Sequence, residues 1–66
     1  MANFLTSKQR TKLLAEHKTE RDGKVRDRLK AVLLADEGKP FSQIAEFLFV
    51  DELTARRHVR DYLANK

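Results

Sequence analysis

The stretch that decides the fold is FSQIAEFLFVDELTARRHVRDYL, which covers residues 41–63. Its first part places apolar side chains at Phe41, Ile44, Ala45 and Leu48. These intervals of three and four residues are typical of a helix that buries one face. The sequence therefore predicts a short amphipathic helix at the start of this stretch.

The second part of the stretch predicts another helix, separated from the first by about three residues. Ala55, His58, Val59 and Tyr62 repeat the i, i+3, i+4, i+7 spacing. Asp51 is well placed as the N-cap, where its carboxylate accepts backbone N–H groups and interacts favourably with the helix dipole. Two short helices joined in this way indicate a helix-turn-helix motif, whose second helix can enter a DNA major groove.

The N-terminal part of the chain predicts a third helix of weak amphipathic character. Thr6 and Gln9 have the spacing of a capping box, in which each side chain bonds to the backbone of the other residue. Only Leu13, Leu14 and His17 are candidates for its inward side. We therefore expect this helix to pack at the edge of the domain.

The middle of the chain contains the strongest helical pattern. Asp22-Gly23 is a turn or helix-start signal before this helix. Gly38 and Pro40 favour its termination, since glycine adopts the left-handed conformation easily and proline cannot continue a helix. The inward stripe of this helix consists of Val25, Leu29, Val32, Leu33 and Asp36.

Charge is distributed unevenly along the 66 residues, which carry a net charge of +4. Residues 1–30 have nine basic and four acidic side chains, residues 31–55 have one and five, and residues 56–66 have four and one. Basic segments thus flank an acidic middle. Such a balance suits an anionic partner, although solvated helix surfaces produce the same pattern.

Several classes of protein are disfavoured by composition. There is no cysteine, and the two histidines lie far apart at His17 and His58, so we expect no disulfide, no metal site and no cofactor. The longest apolar run has five residues, whereas a bilayer crossing needs about 20. Without an apolar signal-peptide core at the N-terminus, the sequence predicts a soluble cytoplasmic protein that does not contact a membrane.

Four segments together resemble the N-terminal helix-turn-helix domain of bacterial insertion-sequence transposases of the mariner-like superfamily. The segments are LTSKQR at 5–10, RDRLKAVLLADEGK at 26–39, IAEFLFV at 44–50 and TARRH at 54–58. The resemblance implies a role in DNA recombination. The sequence departs from the family pattern at Phe49, where the turn usually has glycine, and at Asp51 and Glu52, which place two carboxylates at the helix end that normally approaches DNA.

Pattern and resemblance together predict a single all-α helix-turn-helix domain over residues 1–66. It is expected to have about four helices and a flexible arm at 1–5, from which Phe4 and Leu5 fold onto the core. The last three helices would form a homeodomain-like helix-turn-helix. The helices are expected at about 7–18, 24–37, 41–48 and 51–64.

The favoured function is that of a sequence-specific DNA-binding domain of a transposase or related small regulator. Helix 51–64 would be the recognition helix in the major groove of double-stranded DNA. Leu53, Thr54 and Arg57 would lie nearest the bases, while Arg56 and Arg60 would contact phosphate or guanine. The predicted DNA-binding residues are Lys39, Ser42, Gln43, Leu53, Thr54, Arg56, Arg57 and Arg60.

The alternative is a protein-interaction or homodimerisation module on the same scaffold. Phe47, Phe49 and Leu53 would then form an exposed apolar cluster, and a homodimer would stabilise so small a domain. An enzyme is disfavoured, because the sequence shows no nucleophile beside a base, no tunable pair of carboxylates and no glycine-rich phosphate loop. No small-molecule substrate is expected.

Overall fold

In the computed structural model, which describes residues 4–64, all regular structure is helical. The helices are α1 Ser7–Thr19, α2 Gly23–Asp36, α3 Phe41–Leu48 and α4 Glu52–Ala64. Each end lies within one residue of the predicted position. The predicted all-α class is therefore confirmed. Within the described part of the chain, no helix has both the length and the hydropathy needed to cross a bilayer.

Local side-chain chemistry explains where the first two helices begin. The Thr6 hydroxyl accepts from the Gln9 N–H at 3.1 Å, and the Thr6 N–H donates to the Gln9 side chain at 3.0 Å, which confirms the predicted capping box. Asp22 caps α2 by accepting from the backbone N–H groups of the next turn. After α2, Gly38 has a φ of 89°, a conformation that glycine adopts without the steric cost of a Cβ atom.

The turn between α3 and α4 is closed by a residue in the left-handed conformation. Phe49 has φ 57° and ψ 41°, and its N–H donates to carbonyl groups in the last turn of α3. The Val50 N–H also donates to the Ala45 carbonyl at 3.0 Å. Asp51 then caps α4 as predicted, since its carboxylate accepts from the Thr54 N–H at 3.2 Å.

The core is arranged around α2, which packs against each of the other three helices. One cluster joins α2 to α3 and α4 through Ile44, Leu48 and Val59. Four buried alanines, here named the alanine seam, occupy the same cluster: Ala31, Ala35, Ala45 and Ala55. Their small side chains let the three helices approach closely.

A second hydrophobic cluster packs α1 against α2. Leu13 is buried there with Leu29, Val32 and Leu33. The prediction that Leu14 also points inward is wrong, because its side chain is 44% exposed. α1 thus contributes one buried leucine and packs at the edge, as its weak amphipathic pattern predicts.

A buried carboxylate ties the N-terminal segment to α2. Asp36, on the inward stripe of α2, is only 5% exposed and accepts from the Leu5 N–H at 2.9 Å and from Arg10 Nη1 at 2.8 Å. Arg10 Nη2 also contacts a Glu37 carboxylate oxygen at 3.0 Å. This hydrogen bond to Glu37, with the further bond to Asp36, raises the pKa of Arg10.

The predicted arm at 1–5 is only partly within the described residues. Phe4 packs against both clusters and Leu5 against the second, in agreement with the prediction that they fold onto the core. The remaining arm positions, 1–3, lie outside the described residues.

Candidate nucleic-acid interface

The two faces of α4 differ sharply in chemistry. Ala55 and Val59 are buried at 0% and 1% exposure and attach the helix to the core. Arg56, Arg57 and Arg60 are exposed. Since successive helical residues are rotated by about 100°, burying one stripe of α4 presents the opposite side of the helix to solvent. The outer face therefore carries three guanidinium groups within two turns.

Four of the residues predicted to bind DNA come together along one groove. Leu53, Arg56, Arg57 and Arg60 line it, and its volume is about 420 Å³. Phe41, from the first turn of α3, forms part of the wall, and Leu63 lies toward the end of α4. The groove thus combines apolar surface with guanidinium groups. Such a surface can accept groups that are partly apolar and partly anionic.

Arg56 differs from the other two arginines because neighbouring side chains hold it. Its Nη2 atom lies 2.8 Å from a Glu52 carboxylate oxygen, one helical turn earlier. Its guanidinium carbon also lies 5.1 Å from the centroid of the Phe41 ring, within the range of a cation–π interaction. Both charged side chains nonetheless remain about half exposed.

Arg57 and Arg60 form no ion pair with another residue of the described range 4–64. Arg57 also lies close enough to the start of α4 to influence Asp51. The pKa of Asp51 is lowered, chiefly by hydrogen bonds from the Thr54 side chain and backbone N–H, with a smaller effect from the Arg57 charge. The start of α4 therefore keeps a stable anionic cap beside a cationic surface.

The other predicted contacts lie outside the groove lining. Lys39, Ser42 and Gln43 are exposed around the start of α3. Pro40 provides no side-chain cap for that helix. Thr54 is half-buried and bonded to Asp51, so it is less available than predicted to an external partner.

Three large apolar side chains at and beside the turn are exposed. Phe47 is 51% exposed, Phe49 is 95% exposed and Leu53 is 61% exposed. We call these three residues the turn patch. Leu53 belongs to the turn patch and also lines the groove.

Sequence reasoning missed the part that two residues play beside Arg56. The Phe41 side chain was predicted only to face the core, but its half-buried ring also lies against the Arg56 guanidinium. Glu52 was expected to meet DNA phosphates unfavourably unless it accepts from a cytosine N4 amino group, whereas in the structure it pairs with Arg56. The i, i+4 spacing of Glu52 and Arg56 could have revealed this pair. Nothing in the sequence relates Phe41 to Arg56.

Residues 22–66 match the family model described as the homeodomain-like domain, which covers most of the chain. The chain belongs to the homeodomain-like family. The match spans α2, α3 and α4, the same three helices that were predicted to form the helix-turn-helix. No curated protein and no solved structure matches the chain.

The homeodomain-like family indicates DNA binding as the general function. In the homeodomain variant of the helix-turn-helix, the third helix is the one that reads the major groove. The third helix of the matched region here is α4, which carries the three arginines.

Proposed function

We propose that this homeodomain-like domain binds double-stranded DNA sequence-specifically, with α4 as the recognition helix in the major groove. The observation that carries the proposal is the outer face of α4, where Arg57 and Arg60 are exposed and unpaired within residues 4–64. Arginine can donate to both major-groove acceptors of guanine at once. Neighbouring Leu53 offers an apolar surface for a thymine methyl group.

The residues around the start of α3 would fix the position of the domain on the duplex. Lys39, Ser42 and Gln43 are exposed there. The first N–H groups of a helix and a nearby lysine suit a phosphate group. Contacts of this kind orient the protein without reading sequence.

Fluorescence anisotropy with a pool of randomised duplexes tests the proposal. We expect binding by the wild type to weaken steeply as the salt concentration rises. If Arg57 and Arg60 both contact phosphate, the double variant Arg57→Ala/Arg60→Ala should flatten the slope of log K against log salt by about 1.8, because each lost phosphate contact removes about 0.9. Contacts made to guanine instead would appear as reduced selectivity in sequencing of the bound pool. Arg26→Ala/Arg28→Ala is the matched control, since it removes the same charge from exposed positions on α2.

Two outcomes would contradict the proposal. A folded wild-type protein that binds no duplex at low salt would exclude DNA binding. Equal losses for the α4 variant and the α2 control would place the DNA-facing surface elsewhere.

We further propose that the domain serves a bacterial transposase or a related small regulator in the cytoplasm. The support is the resemblance of four segments, in order and spacing, to the N-terminal domain of mariner-like transposases. Mapping the sequences bound in genomic DNA distinguishes the two roles. Enrichment at the terminal inverted repeats of a mobile element would support a transposase, whereas enrichment at promoters would support a regulator.

The proposed activity is binding alone, without a cofactor, a metal ion, a small-molecule substrate or catalysis by these residues. The support is the sequence, which lacks a nucleophile beside a base. Incubation of labelled duplex with the domain and Mg²⁺ tests this part. Cleaved or joined products would contradict it.

The turn patch favours a second function, homodimerisation. Three large apolar side chains at and beside one turn are at least half exposed, and a cluster of exposed apolar side chains often marks a protein interface. Sedimentation equilibrium would show a dimer that Phe47→Ser weakens. Leu14→Ser is the matched control, because Leu14 is comparably exposed on α1. A monomer at high concentration would exclude this function.

A further inference from the structure

The three arginines of α4 are not equivalent, because Arg56 alone is held by two side chains from different helices. We propose that Glu52 and Phe41 keep Arg56 away from the phosphates of non-cognate DNA, which makes Glu52 a specificity-determining residue. This inference rests on the proposed DNA binding by α4. It adds a mechanism by which the same face discriminates against the wrong sequence.

The geometry restricts Arg56 from two directions. The Glu52 carboxylate contacts Nη2 at 2.8 Å, and the Phe41 ring faces the guanidinium carbon at 5.1 Å. Glu52 is the first residue of α4, where a carboxylate also interacts favourably with the helix dipole. The arginine is therefore directed toward the start of its own helix and toward α3.

A phosphate must compete with Glu52 for Arg56. On non-cognate DNA, the exchange leaves the Glu52 carboxylate without a partner and close to other anionic groups. Where the sequence offers a cytosine, its N4 amino group can donate to the Glu52 carboxylate in the major groove. The loss of the ion pair between Glu52 and Arg56 is then compensated by a hydrogen bond from DNA only at a site with a suitably placed cytosine. The pair thus lowers non-specific affinity more than specific affinity.

Glu52→Gln tests this mechanism, because it removes the charge and keeps the size of the side chain. On a randomised duplex in 50 mM salt, we expect binding about 3–10-fold tighter and a salt slope steeper by about 0.9, the value for one additional phosphate contact. The ratio of cognate to random affinity should fall. Glu46→Gln is the matched control, since it makes the same charge change at an exposed α3 position without an ion pair to arginine.

A double-mutant cycle separates the release of Arg56 from simple charge repulsion. In an Arg56→Ala background, Glu52→Gln should no longer tighten binding, because no guanidinium remains to be released. A gain that persists in this background, or that Glu46→Gln reproduces, would overturn the inference in favour of a general charge effect. Exchange rates of the Arg56 side-chain N–H groups, measured by NMR without DNA, should rise in Glu52→Gln.

The failure of this inference and the failure of the proposed function are distinguishable. A wild-type protein that binds duplex DNA while Glu52→Gln leaves affinity and salt slope unchanged would overturn the inference alone. A wild-type protein that binds no duplex in low salt would overturn the proposed function, and the inference with it.

Discussion

Replacing Phe49 with glycine separates the backbone cost of the turn from any contribution of its side chain. Phe49 has a φ of 57°, and its side chain is 95% exposed. A residue with a Cβ atom loses roughly 1–2 kcal/mol in the left-handed conformation. Glycine avoids that loss, but its greater freedom in the unfolded chain costs roughly 0.5–1 kcal/mol. Pairing the lower values and the upper values of the two ranges, we expect Phe49→Gly to stabilise the domain by about 0.5–1 kcal/mol.

Phe49→Ala is the matched control, because alanine removes the ring and keeps the Cβ atom. Its stability should remain within about 0.5 kcal/mol of the wild type, as expected for an exposed position. Circular dichroism at 222 nm during thermal and urea unfolding measures both variants. For a domain of this size, the glycine variant should melt about 2–8 °C higher than the wild type.

Two results would refute this reasoning. If Phe49→Gly melts below the wild type, the left-handed conformation is not the dominant cost at this position. If both variants lose stability equally, the ring makes a stabilising contact. Repeating the measurement over a range of protein concentrations then shows whether that contact is with a second copy, because only an intermolecular contact depends on concentration.

Three further substitutions test the core, the buried carboxylate and the helix cap by urea unfolding. Ile44→Val, at a fully buried position, should cost about 0.5–1.5 kcal/mol, and a smaller loss would mean that the site collapses around the missing methyl group. Arg10→Gln should cost about 1–3 kcal/mol, since it removes a charged hydrogen-bond partner of buried Asp36, whereas exposed Lys12→Gln should have little effect. Because the pKa of Asp51 is lowered in the folded state, its stabilising contribution is present above the usual aspartate value near pH 4 and is lost as the pH falls below that value. Asp51→Asn keeps a capping side chain that does not titrate, so the free energy of unfolding should depend less on pH in this range. An unchanged pH profile would contradict this.

The features that were predicted correctly from the sequence depend on residues close together in the chain. The two residues of the capping box, Thr6 and Gln9, are three positions apart, and the cap at Asp51 bonds to Thr54. The family resemblance assigns Phe49 to a turn position where glycine is usual, and its left-handed conformation agrees with that position. Interactions within one or two turns depend on spacing along a single helix, so the sequence contains the information needed to predict them.

The pair of Glu52 and Arg56 was missed although it lies within one turn of α4. The other missed features depend on how separate helices meet. Leu13 and Leu14 are adjacent leucines on a weakly amphipathic helix, and only the packing of α1 on α2 determines which one is buried. Asp36 was noted as a polar member of an apolar stripe, but its partner Arg10 lies 26 positions away.

The candidate site also contains features that the sequence predicts and features that it does not. The outward arginines of α4 follow from helical periodicity, whereas the contact between Phe41 and Arg56 requires the crossing of α3 and α4. The crossing depends on the size of side chains on both helices, which a single-helix pattern does not contain.

The alanine seam has a consequence for how such a domain can change its target during evolution. Glycine is the only residue smaller than these alanines, and a substitution with any larger residue would push the helices apart. Overpacking of this kind typically costs about 1–3 kcal/mol. The inner face of α4 is thus constrained by packing, while exposed positions such as Arg57 and Arg60 can be substituted without repacking the core. New preferences for DNA sequence can therefore arise while the core stays unchanged, and the exposed residues of α4 can be replaced as a set by protein engineering.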